Sequence, residues 1–290
     1  MALVVVSRVK IEWKYVTTQP PDQVLLVVGT ALPLVSLAAF GFTLVSQRAT
    51  SAGDVGAGLD LTRVKESDGV LWTTVSNCEV RVVQGRVEDY AHGPGAGIVL
   101  PCNEYFDDRC VGDTRSALGA YVSRVFEGRV AEFVSLIKDE CSKRLGPGVE
   151  QQKTNDERAD SFGPGVCVLL VKPLGRSIPV ALVSTTTQRA GEGLASRISY
   201  LFDGMHALFA RLADARLDEA AMPILGAGHG RIDPPLALVG FLLAVAEAAR
   251  YGRGGQRLRR VTIIVFKKDA NSPAEVDRAV VRRALALIGS

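Results

Sequence analysis

The sequence of 290 residues has no block of like charge and no paired cysteine motif. Its net charge is only +3, and its acidic and basic residues are interspersed, so it has no basic arm of the kind that binds nucleic acid. Nucleic acid is therefore not an expected partner. The five cysteines are odd in number and lack the C-x-x-C spacing of a zinc site. We expect free thiols in a reducing compartment, with no bound metal.

One uncharged run near the N-terminus is long enough to cross a membrane. The stretch "VLLVVGTALPLVSLAAFGFTLVS", residues 24–46, would form a helix of about 34 Å, which matches a hydrocarbon layer of roughly 30 Å. A buried core helix and a secretory signal are the alternatives. The apolar region of a signal is usually about 7–15 residues long, and a signal would export the thiols into an oxidising space. We predict an N-terminal segment over 1–23 and a transmembrane helix over 24–46.

A linker and an alternating pattern follow this predicted span. Residues 47–69 include "QRATSAGDVGAGLD", which has the small, glycine-rich composition of a flexible linker. Over 70–290, short apolar runs typical of buried strands alternate with amphipathic helical segments, and the polar residues 146–163 are predicted to form a loop. The pattern predicts an α/β domain whose sheet is mostly parallel or mixed and covered on both faces. Ligands of such sheets bind outside the carboxyl ends of the strands.

The segment "PILGAGHGRIDPP", residues 223–235, is the candidate for such a ligand site. It lacks the Lys-Ser or Lys-Thr pair of a P-loop, and its G-x-G-x-G spacing differs from the Rossmann fingerprint. Glycines leave backbone N–H groups bare, and a row of them before a helix favours phosphate. A phosphate cradle is therefore expected here, with a simple tight turn as the alternative.

Two motifs in this order resemble the macro domain, a module that binds ADP-ribose and related nucleotides. They are "IVLPCN", which ends at Asn103, and the later "MPILGAGHG". More narrowly, "CNEYFDDR", the Ser116 and Gly119 of "RSALGAY", and "PILGAGHG", all behind an apolar segment, resemble the membrane-anchored macro-domain effectors of Thoeris anti-phage systems. The resemblance covers roughly residues 75–290 and implies a three-layer α/β/α sandwich with a mixed sheet.

The resemblance also implies which residues contact the ligand. Asn103 matches the family asparagine that contacts the distal ribose, and Asp113 is assigned to the same ligand site, although an aspartate before a helix also serves as a cap. The loop that wraps the diphosphate in the family corresponds here to Gly226, Ala227, Gly228, His229 and Gly230.

Two positions depart from the family pattern. Leu100 stands where the family has the first asparagine of an N-A-A-N motif, and a leucine cannot orient a water for hydrolysis. The usual Gly-Asp after the first strand is Gly85-Arg86 here, which leaves Asp89 as the candidate for reading adenine. The first departure favours a binding protein over an ADP-ribosyl hydrolase.

The combined expectation is a single-pass protein of the bacterial inner membrane with a cytoplasmic macro domain and no catalysis of its own. Its ligand would be an ADP-ribose derivative made from NAD by a TIR-domain partner, with no cofactor. Binding would lead to homo-oligomers that disrupt the membrane or arrest growth. A membrane-tethered ADP-ribosyl hydrolase and a reader of ADP-ribosylated proteins are the alternatives.

Overall fold

The computed structural model describes residues 59–90, 95–191, 193–251, 258–269 and 271–289. The strands are β1 (Lys65–Ser67), β2 (Val70–Val75), β3 (Cys78–Gly85), β4 (Ala96–Asn103), β5 (Val149–Thr154), β6 (Glu157–Ser161), β7 (Cys167–Leu170), β8 (Val180–Arg189), β9 (Gly193–Ala195), β10 (Glu219–Pro223) and β11 (Arg260–Phe266). The helices are α1 (Asp108–Gly112), α2 (Ala117–Val125), α3 (Val130–Leu145), α4 (Ile198–Asp214), α5 (Pro234–Tyr251) and α6 (Arg278–Ile288).

Nine of the described strands form one mixed sheet, which confirms the predicted sheet type. Its order is β1-β2-β3-β11-β10-β4-β8-β7, with β9 paired to the end of β8. The neighbours from β3 to β8 run parallel, and the strands at both edges are antiparallel. Because the central strands share one direction, their carboxyl ends lie along a single edge of the sheet.

Helices cover both faces of the sheet, as the three-layer prediction requires. On β8, Val180 and Leu182 join a buried cluster with apolar residues of α1, α2 and α3, whereas Val183 faces Gly204 of α4 on the other side. On this second face α4 packs against α5, and α5 packs against α6. Each fully buried apolar side chain of this kind contributes roughly 1.5–3 kcal/mol. The two apolar layers hold the strand ends, and so the site, in fixed positions.

Two segments predicted to be irregular form strands instead. The predicted linker over 47–69 is described only from residue 59. Its residues Lys65–Ser67 form β1, which pairs with β2 and so belongs to the sheet. The predicted loop over 146–163 contains the antiparallel hairpin of β5 and β6. Its buried residues include Lys153 and Ser161, so polar side chains occupy the inward positions and the expected apolar alternation is missing.

The predicted membrane span over 24–46 lies outside the described residues, as does the segment over 1–23. Within the part of the chain that the structure describes, α5 is long and apolar enough to cross a membrane by composition. More than half of α5 is buried inside the domain, as is usual for a central core helix.

Candidate functional site

A cleft of about 780 Å³ lies at the carboxyl edge of the parallel strands, where the sequence predicts a ligand site. The last residues of four strands line it: Gly85 of β3, Asn103 of β4, Pro223 of β10 and Phe266 of β11. The structure brings most of the predicted ligand residues together here, namely Asn103, Asp113, Gly226, Ala227, Gly228, His229 and Gly230.

Three consecutive residues of the glycine loop, Ala227, Gly228 and His229, line the cleft. Within the loop, the Gly230 N–H donates to the Ala227 carbonyl and the Arg231 N–H donates to the Gly228 carbonyl. Among the described residues, no hydrogen bond is donated by the N–H groups of Ala227, Gly228 or His229. Adjacent amides without an intramolecular acceptor form a concave site that is favourable for an anion.

The three glycines of this loop have different structural roles. Gly228 has a φ of +61°, and a Cβ added to it would project into open space. A Cβ on Gly230 would lie 2.8 Å from Ser196 Cβ, and one on Gly226 would lie 3.1 Å from Ile232 Cδ1. Gly226 and Gly230 therefore let the loop pack closely on its neighbours. Gly228 is the loop glycine whose missing side chain leaves open space.

Asp113 connects the segment after α1 to the glycine loop. The Arg115 guanidinium donates to both of its carboxylate oxygens, at 2.9 and 3.1 Å, and His229 Nε2 lies 3.4 Å from Oδ2. Hydrogen bonds from the side chain and backbone N–H of Arg115 lower the pKa of Asp113 below its ordinary value. The carboxylate is therefore charged at neutral pH, and it can accept hydrogen bonds from ligand hydroxyls.

Ser116 and Gly119 fix the position of Asp113. Ser116 is the N-cap of α2, where its hydroxyl oxygen accepts a hydrogen bond from the Gly119 N–H at 2.9 Å. A Cβ on Gly119 would lie only 2.1 Å from the Asp113 carbonyl oxygen. A residue without a side chain is required there, because the first turn of α2 packs directly on the Asp113 backbone.

Asn103 is buried at the end of β4, with 1% of its surface exposed. Its Oδ1 accepts a hydrogen bond from the Tyr105 N–H, and its Nδ2 donates to Asp107 Oδ1, each at 3.1 Å. These two partners fix the orientation of the amide, because a rotated amide would set N–H against N–H. Asn103 thus lines the cleft and is also hydrogen-bonded to the loop that follows β4.

Asp89 is a correction to the predicted site. Its carboxylate pairs with Arg124 of α2 at 2.8 Å, and Asp89 does not line the cleft. Residues Val87–Asp89 form a 3-10 turn, in which neighbouring side chains diverge, and Arg86 and Glu88 line the cleft instead. The predicted residue therefore lies outside the cleft, although other residues of the same turn line it.

Leu100 lies in the core and does not line the cleft. It is fully buried with the apolar residues packed beneath α1–α3. The departure from the family motif at this position therefore replaces a polar side chain with part of the hydrophobic core.

Sequence reasoning missed several residues that line the cleft. Thr185 of β8 is fully buried, and its hydroxyl has no hydrogen-bond partner among the described residues. Glu275 lines the cleft beside the half-exposed Phe266, the last residue of β11. Burial raises the pKa of the Glu275 carboxyl. The run "STTT" at residues 184–187 was an available signal, since hydroxyl side chains at the carboxyl end of a buried strand suit a ligand site.

One comparison with known proteins identifies the family. A family model described as "Thoeris protein ThsA, Macro domain" matches residues 93–265. No curated protein sequence matches the chain. The Oceanobacillus iheyensis macrodomain with ADP is 8% identical, with 75% of this chain and 94% of that chain covered and a TM-score of 0.49.

Two further solved structures are similar at the same low level. The macrodomain of Thermus aquaticus DarG is 18% identical, with 64% of this chain and 97% of that chain covered and a TM-score of 0.41. The Trypanosoma brucei macrodomain in complex with ADP-ribose is 14% identical, with 72% of this chain and 69% of that chain covered and a TM-score of 0.42. The family assignment rests on the family model.

Proposed function

The chain belongs to the macro domain family of the Thoeris protein ThsA, and from this membership we propose that its cleft binds an ADP-ribose-like nucleotide. The observation that carries the proposal is the row of backbone amides at Ala227, Gly228 and His229, which have no hydrogen-bond acceptor among the described residues. They lie in a cleft of about 780 Å³, which is within the usual range for small-molecule sites of about 300–1,000 Å³.

The chemistry along the cleft matches the parts of such a ligand. The unpaired amides and the open space at Gly228 suit the diphosphate. Asn103 and Asp113 lie beside the loop and can bond the hydroxyls of the distal ribose. At the other end, Phe266 offers an aromatic surface to the base, and Glu88 can accept a hydrogen bond from its amino group.

Two ionisable groups of the cleft, Asp113 and Cys110, are poorly suited to catalysis as a proton donor and as a nucleophile. The low pKa of Asp113 makes it a poor proton donor at neutral pH. Burial raises the pKa of the Cys110 thiol to about 12, so this cleft residue is not a thiolate nucleophile. We therefore propose a receptor without enzymatic turnover.

The family and the predicted membrane span together support a signalling role. We propose that a TIR-domain partner makes the nucleotide from NAD, and that its binding drives oligomers whose membrane segments disrupt the inner membrane or arrest growth. A ligand shifts an equilibrium only when it binds one state better than another, so the bound domains must associate differently from the free ones.

Mass spectrometry of nucleotides retained by the full chain tests this proposal. The chain is co-expressed with the TIR-domain partner and purified in detergent, with a catalytically inactive partner as the control. We expect an ADP-ribose derivative to be retained only when the partner is active. Retention of no nucleotide, or of one without an ADP group, would contradict the proposal. Release of free ADP-ribose from modified protein, abolished by Asn103→Ala, would identify a hydrolase instead.

A further inference from the structure

The hairpin of β5 and β6 places a buried lysine behind the ribose end of the cleft. Lys153 is only 3% exposed, and its ammonium lies 2.6 Å from Asp107 Oδ2 and 2.8 Å from Glu157 Oε1. The centroid of the Tyr105 ring is 5.5 Å from the same nitrogen. A charge at this depth is tolerated only when it is paired, so the lysine and the Asp107 carboxylate hold each other in place.

Asp107 connects this lysine to Asn103. The Asp107 Oδ1 atom accepts hydrogen bonds from Asn103 Nδ2 and from the Arg109 N–H, each at 3.1 Å. The second of these bonds makes Asp107 the N-cap of α1. A single carboxylate therefore fixes both the Asn103 amide and the start of α1.

Glu157 of β6 connects the hairpin to a second residue of the cleft wall. Its Oε2 atom accepts a hydrogen bond from the Arg109 guanidinium at 3.2 Å, and Arg109 lines the cleft. The hairpin thus supports two residues of the cleft wall from behind, Asn103 and Arg109. It does so with polar contacts, whose geometry is directional.

We propose that Lys153 is a positioning residue for ligand specificity, which makes the cleft favour nucleotides with a second ribose over nucleotides that end at the diphosphate. It acts by orienting Asn103 through Asp107. The inference rests on the proposed function, because it assumes that Asn103 faces the distal ribose of an ADP-ribose-like ligand.

Removing the ammonium would affect one end of the cleft selectively. The Asp107 carboxylate would lose its charged partner and would turn towards water, which moves the acceptor that Asn103 faces. Although burial lowers the pKa of Lys153, hydrogen bonds to Asp107 and Glu157 outweigh it and raise the pKa above its ordinary value, so the ammonium is charged at neutral pH. The amides of residues 227–229 belong to another loop and would keep their geometry.

Titration calorimetry of the full chain in detergent, with ADP-ribose and with ADP, tests the inference. We expect Lys153→Met to weaken ADP-ribose binding about tenfold or more while ADP binding changes less than about twofold. In an Asn103→Ala background, the same substitution should cause no further loss. Lys143→Met, which changes an exposed lysine on α3, is the matched control and should change neither affinity.

A second variant covers the outcome that Lys153→Met does not fold. Lys153→Met combined with Asp107→Asn removes both buried charges, and because no ammonium then holds the side chain of residue 107 against Asn103 Nδ2, it should show the same selective loss. Equal weakening of ADP-ribose and ADP binding, or no weakening of either, would overturn the proposed role of Lys153 and leave the proposed function standing. Failure of the unaltered chain to bind either nucleotide would overturn the proposed function and this inference together.

Discussion

At the scale of single residues, Thr185 links stability to ligand binding. Its hydroxyl is buried at the cleft with no partner among the described residues. A buried hydroxyl without a hydrogen bond costs about 1–3 kcal/mol, and a ligand that supplies the missing partner recovers part of that cost. We therefore expect Thr185 to destabilise the free protein and to stabilise the complex with a ligand.

We predict that Thr185→Val leaves the melting temperature unchanged or raises it, while ADP-ribose affinity falls about fivefold, equivalent to one hydrogen bond of about 1 kcal/mol. Thr73→Val is the opposing control. The Thr73 hydroxyl donates to the Arg63 carbonyl at 3.2 Å on β2, away from the cleft. That variant should lose stability without losing affinity. Calorimetry and thermal unfolding of both proteins check the prediction, and a destabilised Thr185→Val with normal affinity would contradict it.

Individual residues also show where sequence reasoning ended. The glycine loop and Asn103 could be assigned to one site from the sequence because each lies at the carboxyl end of a strand that the apolar pattern predicts. The carboxyl ends of parallel strands meet at one edge of the sheet. Asp89 was misassigned because its direction depends on a 3-10 turn that the sequence does not mark. The different roles of Gly226, Gly228 and Gly230 depend on Ser196 and Ile232, which pack on the loop only in the folded chain.

At the scale of elements, the polar composition of the β5 and β6 hairpin explains why the sequence predicted a loop there. A strand is recognised from apolar residues at alternate positions, and the inward positions here hold Lys153 and Ser161. The two-residue turn at Asn155 and Asp156 was an available signal, because these residue types suit tight hairpin turns. The buried polar contacts that stabilise this element involve residues far apart in sequence, such as Ser161 and Glu104.

Helix caps give a prediction at this scale. The Ser116 side chain caps α2 by accepting a hydrogen bond from the Gly119 N–H. The Asp277 side chain caps α6 by accepting a hydrogen bond from the Ala279 N–H. Replacing either cap with alanine should lower the free energy of unfolding by about 1 kcal/mol. Only Ser116→Ala should also weaken ADP-ribose binding, because the first turn of α2 holds Asp113 at the cleft.

Denaturant unfolding and calorimetry of the two variants make the comparison. Equal affinity in Ser116→Ala and Asp277→Ala, at equal loss of stability, would show that the start of α2 does not position the ligand.

At the scale of the whole molecule, nucleotide binding and cell killing are expected to depend on different parts of the chain. The residues that line the cleft all lie between residues 85 and 275, whereas the predicted span over 24–46 precedes every described strand. Deleting residues 1–47 should therefore leave nucleotide affinity within about twofold of the full chain. It should abolish killing, because the small residues of the span can no longer bring helices together in the membrane.

Cell survival after production of the nucleotide by the proposed TIR-domain partner measures this output. Cells with the full chain should lose membrane integrity only when the partner is active, and cells with the truncated chain should survive. Killing by the truncated chain would show that the membrane segment is not needed for the effect.

The ADP-ribose affinity of Gly228→Val tests the central claim most directly, with Gly175→Val as its matched control. Both glycines have positive φ, +61° and +81°, and a Cβ at either position meets nothing within 4 Å. Gly175 lies in the turn between β7 and β8, away from the cleft, so the two variants share the backbone strain and differ in location. Calorimetry should show binding abolished in Gly228→Val and unchanged in Gly175→Val. Unchanged affinity in a folded Gly228→Val protein would contradict a diphosphate site at the glycine loop.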